Sequence, residues 1–406
     1  MDNFYLKDNL KMTEFLDLQN GFYNALSQGL GLPPGSPFQI VQPSPPLVPG
    51  PNQDLAVWNY FNLIPTASLT NYIQSGGNQF FSDYSGLLSA LTGAPNTFQQ
   101  DVGPACFAAW NAYANTLPLT VTLNMLPAIF QRWATLNGYI SVANKGATDL
   151  AQMVLDPITA AQLAISPYSG TSPTNLPNWD AGYSALTQLL AVAPSRSFNF
   201  GSSSMNSSVS NTWCNGSQSA FFGLWSNSSH SSSQSQTFAA SGVNVTATFQ
   251  HVTPFTAVPG AWYSSSAMAD AFSHESGPPW ISGSSISWNN TFSSTTGNMA
   301  RFASNIIVVS GTYIKVESAA TFSQADQTAI SNNSSAGMWP FYSSNSDSGT
   351  NTSTSFNNNG NMTVIITSTP GVPIVIGVDV VPVSTYVGHA VEGAKLHTAA
   401  LRRHRM

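Results

Sequence analysis

The sequence predicts an α+β protein: an irregular helical N-terminal domain followed by an antiparallel β-rich C-terminal domain, sandwich-like or elongated. Three observations predict it. Apolar residues recur every three or four positions through the first half, as in LAVWNYFNLI, FAAWNAYANT and MLPAIFQRWATL. Beyond SRSFNFGSSS (195–204) the period becomes two, as in VNVTATFQHV (243–252), where Val243, Val245, Ala247 and Phe249 alternate with Asn244, Thr246, Thr248 and Gln250. Turn signals then space the β-favouring runs, above all Asn359-Gly360 inside TSTSFNNNGNMTVIIT (352–367).

Five segments follow from these changes: an amphipathic helix within 1–31, a proline-rich strap or linker over 32–53, a helical domain over 54–194, a charge-poor Ser/Asn/Thr-rich β domain over 195–385, and a basic tail over 386–406. In TEFLDLQNGFYNAL (13–26), Phe15, Leu18, Phe22, Ala25 and Leu26 share one helical face. Thr13 is placed to cap its start, and Gly29 and Gly31 to stop it. LPPGSPFQIVQPSPPLVPGP (32–51) runs extended, because proline fixes φ and lacks a donor; its PSPPLVP (43–49) could also pose as a polyproline ligand. Pro65, Pro104, Pro118, Pro127, Pro157 and Pro177 divide the helical domain into short pieces.

In the β domain, NIIVVSGTYIKVES (305–318) reads as two strand-like runs around Ser310-Gly311. Asn359-Gly360 joins a hairpin, and Pro370-Gly371 turns the chain into PIVIGVDVV (373–381). SSAMADAFSHES and FSQADQTAI read as short helices, the second capped by Ser323.

Charge is the compositional anomaly. Of 406 residues, 42% are hydrophobic, enough for real cores, but only 7% are charged, against roughly 25% in ordinary domains. Ser, Asn, Thr and Gln must therefore cover most of the surface, and weak self-repulsion favours association. The net charge of −6 carries no footprint for nucleic acid. The N-terminus lacks the basic region and apolar run of a signal peptide, and GVPIVIGVDVVPV (371–383) is too short to span a membrane. A cytoplasmic location, or export without a cleaved signal, is expected. Cys106 and Cys214 form neither a disulfide framework nor a zinc pattern.

SNSSHSSSQSQTF (226–238) admits three readings: a hairpin loop, a neutral strand face, or a serine–histidine site at His230. Abundant serine makes the third uninformative, and no G-x-S-x-G elbow occurs. His230, His251, His274, His389, His397 and His404 are scattered, and HESGP fails the H-E-x-x-H pattern. Asp270 and His274 would share a helix face as a side-chain pair. The carboxylates of the β half, Asp270, Glu275, Glu317, Asp326, Asp347 and Asp379, show no spacing that selects a catalytic pair. No cofactor is expected.

The expected function is non-enzymatic: a self-associating or surface-binding protein that forms a homo-oligomer through its neutral β domain. One alternative is a pore-forming protein that inserts charge-free strands from about 197–269, where no Asp, Glu, Lys or Arg occurs. The other is a carbohydrate-binding module. Trp213, Trp225, Trp262, Trp280, Trp288 and Trp339, many beside Ser, Asn or Gly, would be its binding residues by stacking on sugar rings. A membrane or a glycan surface is the corresponding partner.

Overall fold

A computed structural model describes residues 20–33, 37–41, 45–65, 79–118, 120–168, 175–204, 237–238, 241–331, 337–338, 341–342 and 349–388. The fold is α+β, with helices mostly in the first half and an antiparallel sheet of seven strands mostly in the second. The chain divides into two compact units, each drawn from both sides of residue 195. Unit 1 comprises 1–77, 181–257 and 303–381; unit 2 comprises 78–180, 258–302 and 382–406.

Unit 1 is built on the sheet. Its strands are β1 (Phe38–Ile40), β2 (Arg196–Gly201), β3 (Val243–Phe255), β4 (Arg301–Thr321), β7 (Thr350–Phe356), β8 (Asn361–Ser368) and β9 (Ile374–Pro382), the first residues of β4 and the last of β9 lying past the unit's bounds. A separate ribbon pairs β5 (Gly337–Met338) with β6 (Phe341–Tyr342). The strand order is β1-β9-β4-β3-β2, and β8 also pairs with β4 and carries β7 outside it. Seven of the described strands thus form one antiparallel sheet. The proline-rich strap is part of it: Phe38 pairs with Asp379 through β1, and Leu47 N–H donates to Pro373 O at 2.8 Å.

β4 is continuous across Ser310-Gly311, where the sequence suggests a break between two runs. β3 pairs on both sides of that point, His251 with Ser310 and Phe249 with Thr312. Gly311 reaches φ 60° without reversing the chain, and the Gln250 side chain occupies the space where a Cβ would stand. On its other edge β4 is shared. β9 lies against its first half, where Ser304 Oγ donates to Asp379 O at 3.1 Å, and β8 pairs with it from Tyr313 onward. Thr312 N–H, at the changeover, donates to Ser368 Oγ at 2.9 Å.

Alternation decides which face is buried. Val243, Val245, Ala247 and Phe249 of β3, Ile314 and Val316 of β4, and Met362, Val364 and Ile366 of β8 form the inner face. Helix α1 (residues 20–29) covers it. Phe22 meets Phe198 and Phe200 edge-on at 5.9 and 5.5 Å between ring centres. Gly29 lies inside this helix, because a Cβ there would stand 2.5 Å from the Phe198 ring. Gly31, at φ 79°, is the residue that ends it. Gly31 N–H donates to Gln28 O and Leu32 N–H to Ser27 O, a Schellman closure. Thr13 lies outside the described residues. The hairpin at Asn359-Gly360 forms as expected: Asn357 Oδ1 accepts from Asn359 N–H and Asn361 N–H, both at 2.9 Å, and Gly360 takes φ 75°. Helix α2 (Gln53–Asn62) also belongs to unit 1; Asp54 Oδ1 accepts from Tyr183 N–H at 2.7 Å.

Unit 2 is mainly helical: α3 (Phe80–Ser89), α4 (Phe98–Val102), α5 (Pro104–Ala114), α6 (Leu126–Leu136), α7 (Ile140–Met153) and α8 (Pro157–Ile165). Pro104, Pro127 and Pro157 start helices, since the first turn leaves its N–H groups unpaired anyway. Phe98, Trp110, Phe130, Trp133 and Leu150 form one core. A second aromatic cluster surrounds Trp262, with Phe80, Phe81, Tyr84, Trp179 and Tyr263 at 5.3–5.9 Å.

Candidate binding surface

The same alternation that buries one side of the sheet exposes rows of polar side chains on the other. Register fixes them. Ser197, Thr248, Tyr313, Thr367 and Asn351 stand side by side across β2, β3, β4, β8 and β7. Two residues along lie Asn199, Thr246, Lys315, Ile365 and Ser353, then Gly201, Asn244, Glu317, Thr363 and Ser355. With strands about 4.8 Å apart and alternate residues about 6.7 Å apart, these rows span about 19 by 13 Å. Their residues on β2, β3 and β7 are exposed apart from the half-buried Gly201; Thr363, Ile365 and Thr367 on β8 are half-buried.

The surface is electrically neutral. Its two charged residues pair with each other, Lys315 Nζ to Glu317 Oε1 at 2.7 Å. Lys315 is held above its usual range by the hydrogen bond it donates to Glu317. Tyr313, 44% exposed, is the one aromatic ring in these rows. Gly311, the next outward position, contributes no side chain, and the Gln250 amide folds over it. The result is a ring at the centre of a sheet, flanked by Thr248 and Thr367 and bordered by an amide and an ion pair. Tyr313 is not among the binding residues expected from the sequence. The signal was present in GTYIKVES, whose alternation puts Tyr313, Lys315 and Glu317 outside and Ile314 and Val316 inside.

The tryptophans are placed differently. Trp262 is fully buried, and its Nε1 donates to Asn178 O at 2.7 Å, so neither ring face is open as a stacking platform. Trp280 and Trp288 are half-buried in unit 2. Trp280 Nε1 donates to His274 O (2.6 Å), Trp288 Nε1 to Phe272 O (2.8 Å), and both rings pack against Phe292. Trp213, Trp225 and Trp339 lie outside the described residues, as do His230, Cys214 and the 226–236 part of the serine stretch. Phe238, the last residue of that stretch, is fully buried in the sheet's core.

The polar groups with chemical potential are held separately. His274 Nδ1 approaches Asp270 Oδ1 at 3.5 Å, an exposed pair on helix α10 (Ser265–Ser273; α9 is Tyr183–Ala191) and its cap. Ser323 Oγ accepts from Asp326 N–H, as the predicted cap requires. Asn305 Nδ2 donates to Asp379 Oδ2 at 2.5 Å. His251 Nδ1 lies 2.8 Å from Ala193 O. Cys106 is buried and free, and burial raises its thiol pKa. Lys145 bridges Asp101 and the buried Asp149 at 2.5 and 2.7 Å. Among the described residues, no group of three His, Cys, Asp or Glu side chains could hold a metal ion.

Among the described residues, Asp83 is the acid whose pKa is clearly raised. Burial lifts its pKa to about 6, and a hydrogen bond from the Asn298 side chain opposes the rise. Its Oδ2 is buried without a hydrogen-bond partner, as are Asn298 Oδ1 and Tyr263 Oη in the same unit. Tyr84 Oη accepts from Ser264 N–H at 3.0 Å. Raised acids occur in catalytic sites and in structural cores alike.

No known family model, characterised protein sequence or solved structure matches the chain. Among the described residues, no helix is long and apolar enough to cross a membrane.

Proposed function

We propose that the protein is a non-enzymatic binding protein. The neutral sheet of unit 1 docks uncharged polar surfaces with its outward face and joins copies of the chain at its margin. One observation carries this reading: five adjacent strands present Ser, Thr and Asn in register in three outward rows, and the two charges within those rows pair with each other. Such a face repels neither a second copy nor any other neutral polar surface. At the margin, β7 pairs with β8 alone among the described strands. Its sequence, TNTSTSF, contains none of the lysines or prolines that usually guard sheet edges.

Light scattering on the full chain tests the assembly. The wild type should exceed monomer mass in buffer alone. The double variant Asn351→Lys/Ser353→Lys, which charges two exposed positions of β7, should fall toward monomer. A monomeric wild type refutes self-association.

A second reading, pore formation, has its own support. β2 and β3 pair antiparallel, and the residues joining them, 202–242, carry no charged side chain. A hairpin extended by such a segment could enter a bilayer at low electrostatic cost. Dye release from liposomes, with oligomers formed only on lipid, would favour this reading over assembly in buffer.

A further inference from the structure

We propose that the outward face of β3, β4 and β8, centred on Tyr313, is a binding site for an uncharged polysaccharide chain. The inference rests on the reading that this face docks neutral polar surfaces, and it names the ligand class. Tyr313 supplies a 44% exposed ring among Ser, Thr and Asn side chains of the outward rows. The electron-rich face of such a ring takes the C–H-lined face of a pyranose. Around it stand donors and acceptors that match sugar hydroxyls: the Thr248 and Thr367 hydroxyls in the same row and the Gln250 amide beside Gly311.

Gly311, the next outward position on β4, carries no side chain, and the Gln250 side chain fills the space a Cβ there would take, so an amide borders Tyr313 on that side. Charge narrows the class. Lys315 is already satisfied by Glu317 at 2.7 Å, so the site offers no free cation for phosphate, sulfate or a carboxylate-bearing sugar. An apolar partner fits poorly, since Ile365 and Tyr313 are the only large apolar side chains in the three rows. The rows run about 19 Å across the strands, which suits an extended chain of several sugar units rather than a single one. The tryptophans of unit 2 take no part.

The test is calorimetric titration of the full chain with cellohexaose, chitohexaose and mannohexaose, three neutral hexaoses that differ in hydroxyl arrangement. At least one should bind at micromolar to millimolar concentration. Tyr313→Ala should weaken that binding at least tenfold, and Tyr313→Phe should stay within about threefold, because the ring and not the hydroxyl does the stacking. Thr248→Glu, at an exposed neighbouring position, should also abolish binding and guards against misfolding of the alanine variant. Trp280→Ala should bind as the wild type does. Absence of binding to all three hexaoses would overturn the proposal, and so would wild-type affinity in Tyr313→Ala or a loss caused by Trp280→Ala. Light scattering on the same samples separates the two claims. A chain that assembles but binds no hexaose refutes the glycan site alone, and a monomer that binds hexaose refutes assembly alone.

Discussion

Asp83 should make the stability of unit 2 fall as pH rises, and Asp83→Asn should remove that dependence. Burial raises the carboxyl from 3.8 to about 6, and its Oδ2 lies buried without a partner. A raised carboxyl pKa means that the folded state binds the proton more tightly than the unfolded chain. The associated stability is fully present below the unfolded pKa, near pH 3.8, and is lost as pH rises through 6. At about 1.4 kcal/mol per pKa unit, the difference is at most about 3 kcal/mol. Asp83 is half-buried rather than sealed, so solvent screening brings the expected value to roughly 1–2 kcal/mol. For a unit of this size each kcal/mol moves Tm by about 2–4 °C. Asparagine keeps the shape and the acceptor for Asn298 but cannot ionise. Urea denaturation followed by tryptophan fluorescence, at pH 4.5 and pH 7, gives the double difference. The wild type should lose more stability than Asp83→Asn between those pH values, and the variant should be the more stable protein at pH 7. Equal losses in both proteins would refute the assignment of the buried charge to Asp83.

Gly29→Ala should destabilise unit 1 by about 1–3 kcal/mol despite alanine's better helix propensity, because its Cβ would meet the Phe198 ring; Gly50→Ala, with open space around it, should be neutral in the same denaturation assay. Asp156→Ala should cost about 1 kcal/mol in denaturation midpoint, since Asp156 Oδ1 caps α8 by accepting from Thr159 N–H at 2.7 Å. Lys145→Ala should lower Tm more than Asp101→Asn does, because it leaves the buried Asp149 carboxylate without its cation, whereas Asp101 is the more exposed partner.

Much of the architecture was legible because periodicity and turn chemistry are local. The alternation of 243–252, the Asn-Gly hairpin and the Ser323 cap depend on residues within a few positions of each other. Gly311 was misleading for a physical reason. A Ser-Gly pair resembles a turn locally, but pairing with β3 on one edge and with β9 then β8 on the other holds the strand straight through it. The roles of Gly29 and Gly31 separate for a similar reason. Gly31 answers a local need for positive φ, whereas Gly29 answers the close approach of Phe198, far away in sequence. The segment 32–53 reads as a strap, yet Phe38–Ile40 extends the sheet, because its partner in β9 lies more than 300 residues away in the chain. The candidate surface was half legible. Its neutral composition stood in the sequence, but the juxtaposition of Thr248, Tyr313 and Thr367 required the register of three strands. Trp262 shows the converse: its neighbours Gly260 and Ser264 resemble an exposed loop, and the fold buries it.

The most direct test of the central claim is the absolute mass of the full chain in buffer by light scattering, beside Asn351→Lys/Ser353→Lys. The wild type should be larger than a monomer and should shift toward monomer when β7 is charged. A wild-type monomer, or an oligomer whose mass the two lysines leave unchanged, would contradict that claim.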